Sequence, residues 1–338
     1  MRVAALFLLS SCAAVAQFHS TVPLVVVPTT VKDPRGQFVD GLQPSDLILT
    51  DNNVPQAIQM DWMLFPISLV VAVQTSDNSG AVLDKLGGAG ILFTNLLAGD
   101  AGDTAVITFS DEVKLHQDFT SDSGDVMHAL RMLRKEGDKA HALDALKQAM
   151  EMLAKRPPGR RRIVLLIGEK RDRGSRAKLP EVMELVQRQN AQVYWLTYSP
   201  FLEPFTAKPR TVEDEKPIDE RIKMPKCDWC ERPDDRATPA DLGPGGLLYG
   251  LGELIHMRQP DLAMLFSQTT GGRTLGFLKK SALEQTIERI GEEVHRQYIL
   301  SFEPKGGEAG KYHKIQVTVK GHPELSVTAR EGYWAVNQ

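Results

Sequence analysis

The hydrophobic pattern along the chain changes period twice. Residues 22–31 (VPLVVVPTTV) and 46–50 (DLILT) are rich in β-branched and apolar side chains, and the turn-forming Asp33-Pro34-Arg35-Gly36 lies between them. Strands also read from Gln297 to Phe302, Tyr312 to Lys320 and Leu325 to Arg330. In the middle one Ile315, Val317 and Val319 alternate with polar neighbours, the mark of one buried face. Between these flanks, apolar runs too short for helices alternate with amphipathic stretches. Ile67 to Val73, Thr104 to Phe109, Val113 to Phe119, Ile163 to Ile167, Gln192 to Thr197 and Gly272 to Phe277 predict strands. Residues 81–97, 123–135, 140–155, 180–190, 260–270 and 281–296 predict helices, the last with Ser281 as N-cap and Glu284 three residues later.

Strands alternating with helices predict an α/β fold, a Rossmann-like, doubly wound and mostly parallel sheet. LVVAV (69–73) and IVLLI (163–167) are apolar on both faces, as central strands covered by helices must be. Ligands in such sheets sit at the carboxyl ends of strands, which directs attention to the residues after Val73, Phe109 and Ile167. The strand-like flanks are expected to pair into one β-rich, sandwich-like module. The division is then a signal segment at 1–16, an N-terminal β segment at 20–61, the α/β domain at 62–296, and a C-terminal β segment at 297–335. Residues 200–246 break the pattern with eight of the 20 prolines and read as a Pro-rich insertion in the α/β domain without a core of its own.

Composition narrows the function classes. At 338 residues, 42% hydrophobic and 25% charged, the chain has ample core. Its 40 Lys+Arg against 43 Asp+Glu give no charge excess that would draw the whole protein onto nucleic acid. Arg2, the apolar run from Val3 to Leu9 and the small residues before Gln17 read as a targeting signal, so export to the periplasm or beyond is expected. Leu9-Ser10-Ser11-Cys12 also fits a lipoprotein cleavage box, which would make Cys12 a lipid anchor, and both readings stay open. No later stretch is long and apolar enough to span a membrane.

Enzymatic motifs are few. Cys227-Asp228-Trp229-Cys230 could be a thiol-disulfide pair, half of a zinc site or a local disulfide. Pro225 and Pro233 bracket it in a charged loop, where redox folds place such a pair between a strand and a helix, so a structural disulfide is the preferred reading. Ser76, Ser110, Asp111, Asp103 and Asp144 could serve a hydrolase, yet no histidine follows a strand where a base is needed: His116 falls in an edge strand and His141 at a helix start. No phosphate-binding glycine loop is present. Arg160-Arg161-Arg162 enters its strand from the end opposite the ligand face and reads as a solvated turn.

The blocks ISLVVAVQTSDNSG (67–80), GDTAVITFSDEV (102–113), HALDAL (141–146) and IVLLIGEK (163–170) resemble a von Willebrand factor type A domain. LVVVPTTVKDPRGQFVDGL (24–42), TTGGR (269–273), YHKIQVTVK (312–320) and AREGYW (329–334) are similar to the von Willebrand-related family found in Acidobacteria. The resemblance implies a metal-ion-dependent adhesion site, in which an Asp-x-Ser-x-Ser loop, a Thr and a further Asp hold Mg²⁺ for a protein partner's carboxylate. At the matching positions this chain has Gln74, Ser76 and Asn78, then Ala140, then Gly168, so only Ser76 agrees. Asp77 could compensate in part, whereas Lys139, Lys170 and Arg171 would oppose a cation. Either the rim is plain solvated surface, or a lysine or arginine takes the ion's place as receptor for an acidic partner. The expectation is an exported, non-enzymatic binding or scaffold protein with a protein partner and no cofactor. A redox protein using Cys227 and Cys230, and an adhesion protein with an atypical Mg²⁺ site, are the alternatives.

Overall fold

A computed structural model describes residues 24–61, 65–76, 79–198, 261–276, 280–304 and 311–335. The N-terminal residues expected to be a signal, with Cys12, the residues Asp77 and Asn78, and the stretch expected to be an insertion, with Cys227 and Cys230, lie outside the described residues.

The strands are β1 (Val25–Lys32), β2 (Leu47–Asp51), β3 (Val54–Pro55), β4 (Gln59–Asp61), β5 (Ile67–Gln74), β6 (Asp103–Phe109) and β7 (Val113–Thr120), then β8 (Arg161–Gly168), β9 (Gln192–Thr197), β10 (Thr274–Gly276), β11 (Tyr298–Phe302), β12 (Tyr312–Val319), β13 (Ser326–Ala329) and β14 (Gly332–Trp334). Six form one sheet in the order β10-β9-β8-β5-β6-β7, parallel throughout except that β7 runs antiparallel to β6. Every residue of β5 is buried, because the sheet carries an apolar core on each face. Helices α1 (Gly80–Leu86), α2 (Ser123–Met132) and α6 (Lys280–His295) contribute to one core, and α3 (Ala142–Ala154), α4 (Leu179–Arg188) and α5 (Leu262–Thr270) to the other.

Two expectations are corrected. The helix expected over 81–97 is broken: α1 stops at Leu86, and a π-helix follows at Leu92–Ala98, closed by Gly99 N–H donating to the Thr94 carbonyl five residues back. The glycines between them permit close packing, since a Cβ on Gly90 would lie 2.7 Å from the Met127 Cα of α2. The helix expected from Ser281 begins one residue earlier, at Lys280.

The flanking strands pair across the chain into two four-stranded sheets, β13-β1-β11-β4 and β14-β12-β2-β3. Val27, Leu49, Leu300, Phe302 and Val317 form part of a third core between them. The α/β layer is thus inserted between β4 and β11, which are neighbours in one of these sheets. Inside this module Asp51 is buried, and it accepts hydrogen bonds from Tyr333 Oη at 2.8 Å and His313 Nδ1 at 2.8 Å. Burial, reinforced by the Asp51 carboxylate, raises the Tyr333 pKa, so the hydroxyl remains a donor.

The arginine run is also corrected: it is structural. Arg160 donates to Ser68 Oγ (2.7 Å) and pairs with Asp103 at 2.9 Å. Arg161 donates to the Val294 carbonyl at the end of α6 (2.6 Å), to Gln192 (2.8 Å) and to Gln297 (2.7 Å), and burial lowers its pKa to about 10. Arg162 caps two helix ends through the carbonyls of Leu153 (3.2 Å) and Gln189 (3.3 Å), where orphan acceptors and the negative end of the dipole favour a cation. Nearby, Arg330 is 4% exposed, and its hydrogen-bond acceptors among the described residues are neutral: the carbonyls of Gly332 and Val26, and the side chains of Asn190 and Gln187. It therefore bolts the β module to the end of α4.

Replacing Tyr333 with Phe removes the nearer of two donors, Tyr333 Oη at 2.8 Å and His313 Nδ1 at 3.1 Å, from one oxygen of buried Asp51. The variant should lose about 1–3 kcal/mol, read as a lower urea midpoint with an unchanged slope.

Candidate functional site

The carboxyl ends of β5, β6 and β8 lie side by side, so three loops converge there. The first is Gln74-Thr75-Ser76 after β5. It is held by Thr75 N–H donating to the Phe109 carbonyl (3.0 Å), by Glu136 N–H donating to the Thr75 carbonyl (2.7 Å), and by Ser79 Oγ donating to the Ser76 carbonyl (2.6 Å). The second loop leads into α3 and carries Lys139 and Ala140, with His141 at the N-cap. The third is Gly168-Glu169-Lys170 after β8. Ala140 and Arg173 exchange backbone hydrogen bonds (2.8 and 3.4 Å), which stitches the second loop to the third.

At the corner the Gln74 side chain spans two of these loops. Glu169 N–H donates to Gln74 Oε1 at 2.7 Å. A backbone N–H can only donate, so this contact fixes which end of the amide is oxygen. The NH₂ group must then face the other way, and it donates to Ser76 Oγ at 2.6 Å and to Glu169 Oε1 at 3.3 Å. Gln74, Ser76 and Gly168 are all buried. Gly168 has no room for a side chain: a Cβ there would meet Gln74 Oε1 at 2.8 Å and Phe109 Cζ at 2.9 Å. Glutamine is one methylene longer than aspartate, and the missing Cβ at 168 is where its amide fits.

These residues do not fit a divalent ion. Mg²⁺ needs hard oxygens, some of them anionic, at about 2.0–2.1 Å in octahedral array. Ala140 and Gly168 supply none, the Gln74 oxygen is committed to an N–H, and two amide hydrogens point into the corner. Among the described residues no group of three or more His, Cys, Asp or Glu side chains converges as a metal site.

Sequence reasoning missed Glu169, which anchors the amide twice, through its N–H and its carboxylate. It also missed Asp172, and took Asp144 only as a hydrolase candidate, whereas both order the third loop. Asp172 accepts from Leu143 N–H (3.0 Å) and from Ser175 N–H (3.1 Å) and Oγ (2.5 Å), while Asp144 accepts from the N–H groups of Arg176 (3.0 Å) and Ala177 (2.8 Å). Of the basic rim, Lys170 pairs with Asp261 at 3.6 Å and Arg173 with Glu169 at 3.2 Å, while Lys139 is exposed. Lys114 and Glu136 form an exposed pair at 2.5 Å, and the hydrogen bond between them raises the lysine pKa and lowers that of the glutamate. Being exposed, that pair contributes little stability.

The hydrolase candidates form no hydrogen-bonded triad among the described residues. Asp103 lies at the opposite end of the sheet with Arg156 and Arg160, and Ser76 Oγ accepts from Gln74. His141 sits beside Ser110, its N–H donating to the Ser110 carbonyl at 3.1 Å, and its Nδ1 faces Asp144 at 3.6 Å, but its Nε2 has no hydrogen-bond partner there; His116 bonds Thr108 Oγ1 at 2.9 Å.

Residues 69–170 match the family model described as von Willebrand factor type A domain, which supports a domain of that kind within the α/β layer. Among solved structures, the von Willebrand domain of the pilus tip protein Mfa5 from Porphyromonas gingivalis is similar at 19% identity, over 32% of this chain and 40% of that one, with a TM-score of 0.29. This chain thus spans less than half of that domain. An aerotolerance-related membrane protein from Bacteroides fragilis is similar at 13% identity over 67% of this chain and 99% of that one, TM-score 0.39. The SpRpn10 VWA domain is similar at 14% over 39% and 75%, TM-score 0.32. Likenesses this low bear on nothing beyond the fold. No match was found among curated proteins.

Gly168→Ala should destabilise the protein by about 1–3 kcal/mol through overpacking. Gln74→Ala in the same chain should relieve part of that loss, with a coupling of at least about 0.5 kcal/mol in a denaturation cycle, because both changes act on one contact.

Proposed function

We propose that this is an exported, non-enzymatic protein-binding or scaffold protein whose von Willebrand type A corner works without a metal ion. One observation carries the reading: the Gln74 amide, oxygen to Glu169 N–H and nitrogen to Ser76 Oγ, joins the loops that a cation would otherwise join. An amide held this way presents donors where a cation requires acceptors, and it is buried where a ligand would have to reach it. Binding would then fall to the outer loops, with an unidentified protein as partner. The N-terminal residues around Arg2 and Leu9 support export, and among the described residues no helix is long and apolar enough to cross a membrane. The flanking motifs at 24–42 and 329–334 support the narrower kinship with the Acidobacterial family.

Thermal unfolding in EDTA, Mg²⁺ and Mn²⁺ tests this reading. A functional site at one hundred times its Kd would add about 2.7 kcal/mol by mass action, so the midpoint should be the same in all three. A rise in either metal that vanishes in Gln74→Ala would overturn the proposal.

A further inference from the structure

The segment after β8, residues 169–178 (EKRDRGSRAK), holds five Lys or Arg and two acids in ten positions. The structure sorts them by side. Asp172 and Ser175 turn inward: the Asp172 carboxylate accepts the Leu143 and Ser175 N–H groups and the Ser175 hydroxyl. Glu169 is largely buried, with its side chain 17% exposed. Lys170, Arg171, Arg173, Arg176 and Lys178 are all exposed, and Lys139 joins them from the neighbouring loop, its side chain passing beside Gly174. Five tethers hold the segment: the two Ala140–Arg173 hydrogen bonds, the Leu262 N–H to the Lys170 carbonyl (3.1 Å), and the Asp144 carboxylate on the Arg176 and Ala177 N–H groups. Asp172 and Asp144 are consumed in fixing the backbone, and although Lys170 pairs with Asp261 and Arg173 with Glu169, the basic side chains lie on the exposed side, so the loop presents positive charge from a rigid support.

We propose that the 170–178 loop, with Lys139, is a docking surface for an acidic polypeptide segment. This rests on the metal-free reading of the adjacent corner and gives that rim its partner chemistry. Guanidinium groups on an ordered loop match carboxylates in fork geometry, and a preformed surface loses little entropy on binding. A uniformly charged polymer is disfavoured. Asp111, Glu112, Glu136 and Asp138, all exposed, lie on the loops beside the patch, which is therefore short and flanked by negative charge. A peptide can place its acids to suit that outline and a repeating polyanion cannot.

The test is fluorescence anisotropy of a labelled ten-residue peptide with three glutamates spaced among neutral residues, with heparin as competitor, on the full chain in low and in physiological salt. The peptide should bind equally in EDTA and in Mg²⁺, weaken as salt rises, and be displaced poorly by heparin. Lys139→Glu/Arg176→Glu should bind roughly tenfold more weakly, the size of two exposed attractions turned to repulsion. Lys320→Glu, on the β module, should bind as the parent does. The milder Lys139→Gln/Arg176→Gln should fall between, which separates charge from misfolding. No binding at low salt, binding indifferent to the double reversal, or strong preference for heparin overturns the docking surface. Binding that needs Mg²⁺ and still responds to the reversal would leave the docking surface standing and refute the metal-free reading instead.

Discussion

One short hydrogen bond, from the Glu169 N–H to the Gln74 amide oxygen, governs the whole strand-end corner. Because a backbone N–H cannot accept, it orients the amide, and the orientation sends the NH₂ group to Ser76 and the Glu169 carboxylate. Two loops are joined by a neutral group that carries a small desolvation cost compared with an ion. The arrangement has a steric corollary at Gly168, whose missing Cβ is the space the longer side chain needs. An aspartate at 168 would clash with this amide, so the two positions fit each other only as a pair.

At the opposite end of the sheet, charge is used differently. Arg160, Arg161 and Arg162 gather the start of β5 and the ends of α3, α4 and α6, while Arg330 reaches from the β module to Gln187 and Asn190. Most of their acceptors are carbonyls and amides, which satisfy a guanidinium's many donors at little charge, with the buried Asp103 carboxylate added on Arg160. The β module therefore seats on the amino-terminal end of the sheet, and the strand-end rim faces away from it.

Much of this fold was legible in the sequence because burial imposes period. LVVAV and IVLLI had to be central strands, and the alternation of Ile315, Val317 and Val319 reported the inner face of the module. What escaped were features set by partners distant in sequence. The break between α1 and the π-helix depends on how closely Met127 approaches Gly90, and the arginines looked solvated because their acceptors come from six separate segments. At the corner the absence of carboxylates at Gln74, Ala140 and Gly168 was readable, but the role of the amide was not. Gln74 looked like a residue that had merely lost its charge, and only the position of Glu169, 95 residues away, shows the amide as a brace.

Hydrogen exchange at the Glu169 amide tests that brace most directly. In the intact protein this N–H should exchange slowly, at the same rate in EDTA and in Mg²⁺, and Gln74→Met, similar in length but without a good acceptor, should expose it to rapid exchange. Fast exchange in the parent, or protection that appears only when Mg²⁺ is added, would contradict the account.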